Sequence, residues 1–334
     1  MGRALGGELK MHSGVTRTTA WLSLVLALLA GRAAGQGGQG GEEGGEGGIR
    51  LEKRWPLDSG GTVRITSPLG KLRVLGWDVD TLAVSARLEP RIGRFFGAGD
   101  AHVRTLELAG RAELEVHVPR NVTIWVKSTT ADIEVIGVDG TLDLTSVGGT
   151  IHVIGTPQDV TAETMSGSVE LAGGTGRARV KTVSGDVLLR GASQDLGAST
   201  LSGRITVRAA GWQRGGTGVQ RGRFESVSGD IRFEGELGRG GVVQVESQSG
   251  KIEVSVPATT VADFDAVTIE GTITNTFGAE QPKPRATGAG SGQELRFSTA
   301  ARGEAGGGGG GAQITVRTGT LDLCRHSNVD PAPS

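Results

Sequence analysis

The sequence predicts an all-β protein built as a parallel β-solenoid of about ten short coils with an N-terminal β cap. Three observations carry the prediction. A short phrase recurs as TSVGGTIHV (145–153), TMSGSVEL (164–171), TVSGDVLL (182–189), TLSGRITV (200–207) and SVSGDIRF (226–233), and the central glycines of the first four, Gly149, Gly167, Gly185 and Gly203, lie 18 residues apart. Apolar and polar residues alternate on both sides of each glycine, the period-2 signature of strands with one buried face. Glycine supplies 59 of the 334 residues and tyrosine none, the composition of a chain punctuated by tight turns.

Weaker copies extend the series to SPLGKLRV (67–74) and STTADIEV (128–135) before it, and to SQSGKIEV (247–254), TIEGTITN (268–275) and RTGTLDL (317–323) after it. After the glycine the inward pairs are Val169 and Leu171, Val187 and Leu189, Ile205 and Val207, Ile231 and Phe233, and Ile252 and Val254. Before it they include Val160 and Ala162, Ala178 and Val180, and Leu196 and Ala198. Each coil is thus two short strands, hinged at Ser-Gly and returned by a second glycine turn such as Gly173-Gly174 or Gly191. So few inward side chains cannot form a core by themselves, so coils must stack ~4.8 Å apart with equivalent positions in register, giving a rod on the order of 45–50 Å.

The hinge glycine is expected to answer either a positive φ or a close backbone approach. Thr164, Thr182, Thr200, Ser226, Ser247 and Thr268 are expected to lie above one another as a hydroxyl ladder. Ser166, Ser184, Ser202, Ser228 and Ser249 form a second candidate ladder at the corner.

In chain order, residues 1–35 carry the pattern of a secretory signal: Arg17, the apolar run 21–30 and the small residues Ala33, Ala34 and Gly35, with Met11 a second candidate start. The glycine-rich stretch 36–48 is a flexible linker. Residues 49–127 hold the first coil, with Val63, Ile65, Ser67, Leu72 and Val74 inward, and then alternating segments at 81–89, 103–108 and 112–118 that cap the open edge of the stack. The solenoid repeats occupy 128–277, a Gly/Pro-rich insert 278–312, the last repeat 313–323 and a tail 324–334.

The net charge of −1 becomes −4 once the four basic residues and one acidic residue of 1–35 are removed, which argues against a nucleic-acid partner. Cys324 is the sole cysteine, so no intramolecular disulfide forms. There is no G-x-S-x-G elbow, and the histidines after the signal, His102, His117, His152 and His326, do not cluster in sequence. No catalytic, cofactor or metal site is expected. Glu113, Glu115 and His117 share a strand face that reads as solvated polar surface. Asp186 and Asp230 share a repeat position, but Arg204 falls between them in the stack, against a carboxylate dyad.

Two stretches are candidate contact sites. Around the insertion 209–223 lie Arg204, Arg208, Arg214, Arg221 and Arg223, with no acidic residue between Asp195 and Glu225, and with Trp212 as a stacking plate. That composition suits an anionic ligand such as a charged glycan or lipid headgroup. Phe95 and Phe96, set among glycines and arginines, are a candidate partner-binding tip, weighed against simple packing back onto the cap.

With its copies laid out, the chain resembles a bacterial β-strand-repeat family of unknown function whose members are described as putative adhesins. The resemblance spans about 50–323 and rests on the reiterated Ser/Thr-x-Ser/Thr-Gly phrases, on Leu75-Gly76-Trp77-Asp78 closing the first copy, and on Val118-Pro119 and Val256-Pro257 preceding new runs. It implies the fold and brings no catalytic motif with it. The function expected is that of an exported, non-enzymatic, adhesin-like or structural binding module of the bacterial cell envelope, located in the periplasm, on the outer surface or outside the cell. Its partner would be an envelope polysaccharide, a lipid headgroup or an envelope protein. The alternatives are an accessory protein in envelope sensing or assembly and, from a different class, a polysaccharide-active β-helix enzyme.

Overall fold

The computed structural model describes residues 44–45, 48–191, 193–209, 218–285, 291–299 and 312–326. The predicted signal, most of the linker, Trp212, Arg214, the glycine run of the insert and most of the tail lie outside the described residues. Among those described the regular elements are all strands, and no helix is long and apolar enough to cross a membrane.

The strands form two 14-stranded sheets, most of whose pairings are parallel. Each coil contributes one strand to each sheet. In sheet A the register runs Val169↔Val187↔Ile205, and in sheet B it runs Val160↔Ala178↔Leu196, so residues one repeat apart are direct neighbours. The alternation therefore places every predicted inward residue in one continuous core between the sheets: Val63, Leu72, Val160, Val187, Ile205 and Phe233 are all buried. Burial of that shared face is the main driving force for stacking. Within the 219–235 coil the inward Gly222 leaves space that Phe224 fills, and its ring lies 5.7 Å from that of Phe233.

The stack does not follow the chain at either end. Val103–Ala109 pairs in parallel with Thr62–Ser67, and Arg111–Pro119 with Leu69–Trp77, so 103–119 is a further coil outside the first copy. The 62–77 coil is thereby enclosed between 103–119 and 123–136. At the other end Ala312–Thr318 and Thr320–His326 insert between the coil of 237–257 and that of 262–275. Antiparallel strands close both ends. Gly48–Pro56, Thr81–Leu88 and Arg94–Gly99 do so at the first, where Trp55 stacks on Phe95 at 6.4 Å and the buried Arg104 lies 5.2 Å from the Trp55 ring. Gln293–Ser298 does so at the second, where Phe297 stacks on Phe264 at 4.5 Å.

The hinge glycine answers a close approach. A Cβ at Gly167, Gly185, Gly203 or Gly229 would fall on the carbonyl oxygen of the equivalent glycine one coil earlier. None of these four has a positive φ, which in the central coils belongs to the opposite corner, at Gly155, Gly173 and Gly191 (146°, 127° and 121°), although the hinges nearer the two ends, Gly70 and Gly271, do have one (109° and 125°). The hydroxyls differ from the expected ladder. Thr164, Thr182, Thr200, Ser226 and Ser247 each accept a hydrogen bond from the N–H of the glycine three residues on, at 2.8–3.1 Å, and so brace their own hinge. Their links between coils go to backbone carbonyls, as from Ser247 Oγ to Gly229 at 3.3 Å. Thr268 is not above Ser247, because the inserted last repeat places Thr318 beside it.

Candidate functional site

In a strand, residues two apart point to the same side, so Arg177 and Arg179 both stand on the outer face of sheet B. Arg221 and Arg223 do the same two coils later, and the register sets Arg177↔Asp195↔Arg221 and Arg179↔Gly197↔Arg223 in adjacent rows. The two arginine-bearing strands are thus about 10 Å apart, with one intervening coil that carries no bulky outward side chain in the Gly197 row.

Asp195 organises the cluster. Its side chain is 12% exposed, and its carboxylate lies 2.8 Å from Arg179 Nη2, 3.5 Å from Arg221 Nε and 3.7 Å from Arg177 Nε. The Arg179 guanidinium lies across Gly197, where a Cβ would come 3.0 Å from Arg179 Cδ, and its Nη1 donates to the Ala178 carbonyl at 3.0 Å. Arg223 pairs with Glu225 of its own strand. Over this coil the surface sinks into an open groove of about 530 Å³, lined among others by Arg179, Lys181, Arg221 and Arg223 and by only two acidic residues, Asp195 and Glu225. One carboxylate shared by three guanidiniums leaves N–H donors unspent, and planar donor forks of this kind match carboxylate, sulfate or phosphate oxygens.

The outer face of sheet A is different. Its larger groove, about 800 Å³, has mixed lining, and the charges there cancel in pairs: Arg73 with Glu134 at 3.0 Å and Glu115 at 3.8 Å, and Arg87 with Glu113 at 3.3 Å. Thus Glu113 and Glu115 face arginines, while His117 packs 5.1 Å from the Trp77 ring. Asp186 and Asp230 brace coils, accepting the backbone N–H of Arg204 at 2.8 Å and of Lys251 at 2.9 Å.

The structure divides the predicted arginine site. Arg204 and Arg208 fall at the start and within Ile205–Ala209 of sheet A, where Arg208 faces Glu234 at 3.9 Å, whereas Arg221 and Arg223 belong to sheet B. Trp212 and Arg214 lie outside the described residues. The insertion lengthens the link between sheets, and the strands on either side of it join different faces. Of the described members of the predicted set, Arg221 and Arg223 meet in one groove, and they do so with Arg179, while Arg177 joins the cluster through Asp195; loop composition reveals neither arginine. Writing the copies under one another and reading the outward rows across the insertion does reveal them. At the other candidate, Phe95 packs on Trp55, while Phe96 is 59% exposed on the edge strand Arg94–Gly99.

No curated protein matches the chain. Solved structures similar to it include a putative adhesin from Bacteroides fragilis, with 10% identity over 82% of this chain and 97% of the other and a TM-score of 0.40. A putative lipid binding protein from Parabacteroides distasonis has 8% identity over 84% and 98%, with a TM-score of 0.37. The family model named Toastrack DUF4097 matches residues 78–296, from the end of the first coil into the antiparallel strand Gln293–Ser298. With most of its length so matched, the chain belongs to the Toastrack DUF4097 family.

Proposed function

We propose that this protein is an exported, non-enzymatic binding module of the bacterial cell envelope, and that it contacts an anionic envelope polymer through the sheet-B groove. The observation that supports this reading is the excess of basic over acidic side chains around the floor at Gly197, with Asp195 holding three guanidiniums in place. The apolar run 21–30 and the small residues after it support export. A rigid stack suits the role, because the arginines sit on paired strands and their spacing is set by the coil repeat rather than by a loop.

The test is retention of the chain on fractionated envelope polysaccharide at increasing salt. Binding through the groove weakens as salt screens it, and Arg179→Ser with Arg223→Ser removes it at a cost of about 1–2 kcal/mol in stability, since Asp195 loses its 2.8 Å partner, with the fold retained. Salt-sensitive binding that the double variant retains would move the contact elsewhere on the surface.

A further inference from the structure

The variable residue of each Ser/Thr-x-Ser/Thr-Gly phrase sits at the corner where sheet B turns into sheet A. In five successive coils that residue is apolar and exposed: Val147, Met165, Val183, Leu201 and Val227, between 39% and 56% exposed. The row has no interruption. Met165 N donates to the Val147 carbonyl, Val183 N to that of Met165, and Leu201 N to that of Val183, at 3.1–3.2 Å, and Ser228 N donates to the Leu201 carbonyl at 2.9 Å beside the Thr200↔Ser226 pair, which sets Val227 next in the row, so the five side chains stack one coil apart. At ~4.8 Å per coil they make a narrow convex ridge about 20 Å long.

The polar groups beneath the ridge are consumed internally. The carbonyl of Val147 also receives Ser166 N at 3.0 Å and Ser166 Oγ at 3.4 Å, and that of Met165 receives Ser184 N at 2.9 Å and Ser184 Oγ at 3.3 Å. Ser228 Oγ and Ser249 Oγ repeat the pattern on Leu201 and Val227, both at 3.3 Å. Backbone so satisfied can leave water with little penalty, which is the condition for contact with hydrocarbon.

We infer that this ridge is a shallow membrane-docking edge, whose five apolar side chains enter the interfacial region of a lipid bilayer. Its shape excludes the gripping of a peptide, since it is convex and one residue wide. Its area, a few hundred Å², falls well short of the ~800 Å² per partner that a specific protein interface buries. A bilayer needs no complementary surface, and burial of a row of apolar side chains by about 5–10 Å is the depth at which amphipathic elements bind. The flanks carry Lys181 and Arg204 against Glu163, Asp186, Glu225 and Asp230, so the attraction is apolar and does not require anionic lipid. Arg179 and Arg223 stand four residues before Val183 and Val227, about 13 Å along their strands, so a docked ridge leaves the groove facing outward near the headgroups.

The test uses the full chain with Cys324→Ser and a single solvatochromic label, placed by Leu201→Cys on the ridge or by Thr206→Cys on the face of sheet A, mixed with phosphatidylcholine vesicles. The label at 201 shifts to the blue at both about 0.1 M and about 1 M salt, and the label at 206 does not. Adding Met165→Ser and Val227→Ser to the 201-labelled chain lowers partitioning about tenfold without moving the urea midpoint. Because the readout is local to one position, insertion of the N-terminal apolar run does not imitate it. Because it is insensitive to salt, it succeeds or fails independently of the groove. A silent 201 label, equal shifts at both positions, or partitioning that the serine variants leave unchanged would overturn the proposal. So would a 201 shift that grows with protein concentration without vesicles, which would assign the ridge to a second copy.

Discussion

Arg179 and Asp195 meet across a coil boundary, Nη2 to Oδ1 at 2.8 Å, with the guanidinium laid over Gly197. The contact both positions Arg179 and consumes some of its charge, and Arg177 and Arg221 lean on the same carboxylate. Replacing Asp195 with Ala therefore has two expected effects. Unfolding free energy falls by about 1–2 kcal/mol, since a charge-assisted hydrogen bond in a largely buried setting is lost. Binding of an anionic polymer tightens and acquires a steeper salt dependence, because Arg179 and Arg221 lose their carboxylate partner, while Arg177 keeps Asp159 at 3.6 Å. Urea unfolding and a salt titration measure the two. Weaker binding would show that Asp195 acts chiefly by holding the arginines in position.

Gly185→Ala tests the hinge. The new methyl would fall on the Gly167 carbonyl, and neither backbone can retreat without breaking the registers on both sides. The expected cost is about 3 kcal/mol or more. The comparison is Ala131→Gly, which should cost about 1 kcal/mol or less, at a hinge where the chain already carries a methyl group, as it also does at Ala112 in the 103–119 coil. Chemical denaturation of the two variants checks the contrast.

Val187→Asp tests the inward face. Val187 is 1% exposed, between Val169 and Ile205 in sheet A. Among the described residues the buried cation is Arg104 in the end coil, so a carboxylate there has no cation beside it, a penalty of several kcal/mol. Cooperative unfolding is expected to disappear. A normal transition in the variant would remove the burial argument for that position.

Stability also varies with pH through two carboxylates of opposite sign. Burial, and then the nearby Glu163, hold the Asp143 carboxyl above the usual range, against the pull of Lys127. The folded state then binds the proton more tightly than the unfolded chain, so stability falls as pH rises from 3.8 through the raised folded value. Asp143→Asn should therefore stabilise at neutral pH, and the gain should vanish near pH 3.8. Asp100 is lowered by the backbone N–H groups of Val103 and His102, so its contribution is present above 3.8 and is lost as pH falls through its folded value. Asp100→Ala should destabilise at neutral pH and converge on the parent only in acid. Thermal melts across that range check both signs.

The period of 18 was enough to read the inward faces, because alternation and a fixed step are local properties of the chain. Val160, Val187 and Phe233 needed no knowledge of neighbours. What a copy does not encode is its place in the stack, so the insertion of 312–326 between two earlier coils and the position of 103–119 outside the first were not legible. The pairing of Arg179 with Arg223 was hidden for a related reason: the 209–223 insertion interrupts the count that would have put them in one row. The hinge glycines showed that a Cβ was unwelcome there, and only the packed coils showed that a carbonyl occupied its place. The corner residues Val147 to Val227 were visible as apolar, but their shared exposure is a property of the turn.

The interleaved strands have a consequence for the order of assembly. The coil of 262–275 is synthesised before the pair of strands that joins it to 237–257, so it has no parallel neighbour to dock on until residues 312–326 have been made. The central coils can zip up one after another as they emerge, whereas this end waits for a late segment to slide into a gap. Closure of this end of the stack therefore waits for the synthesis of 312–326, and the open interval before it is when the exposed sheet edges are most vulnerable to proteases and to pairing with other chains.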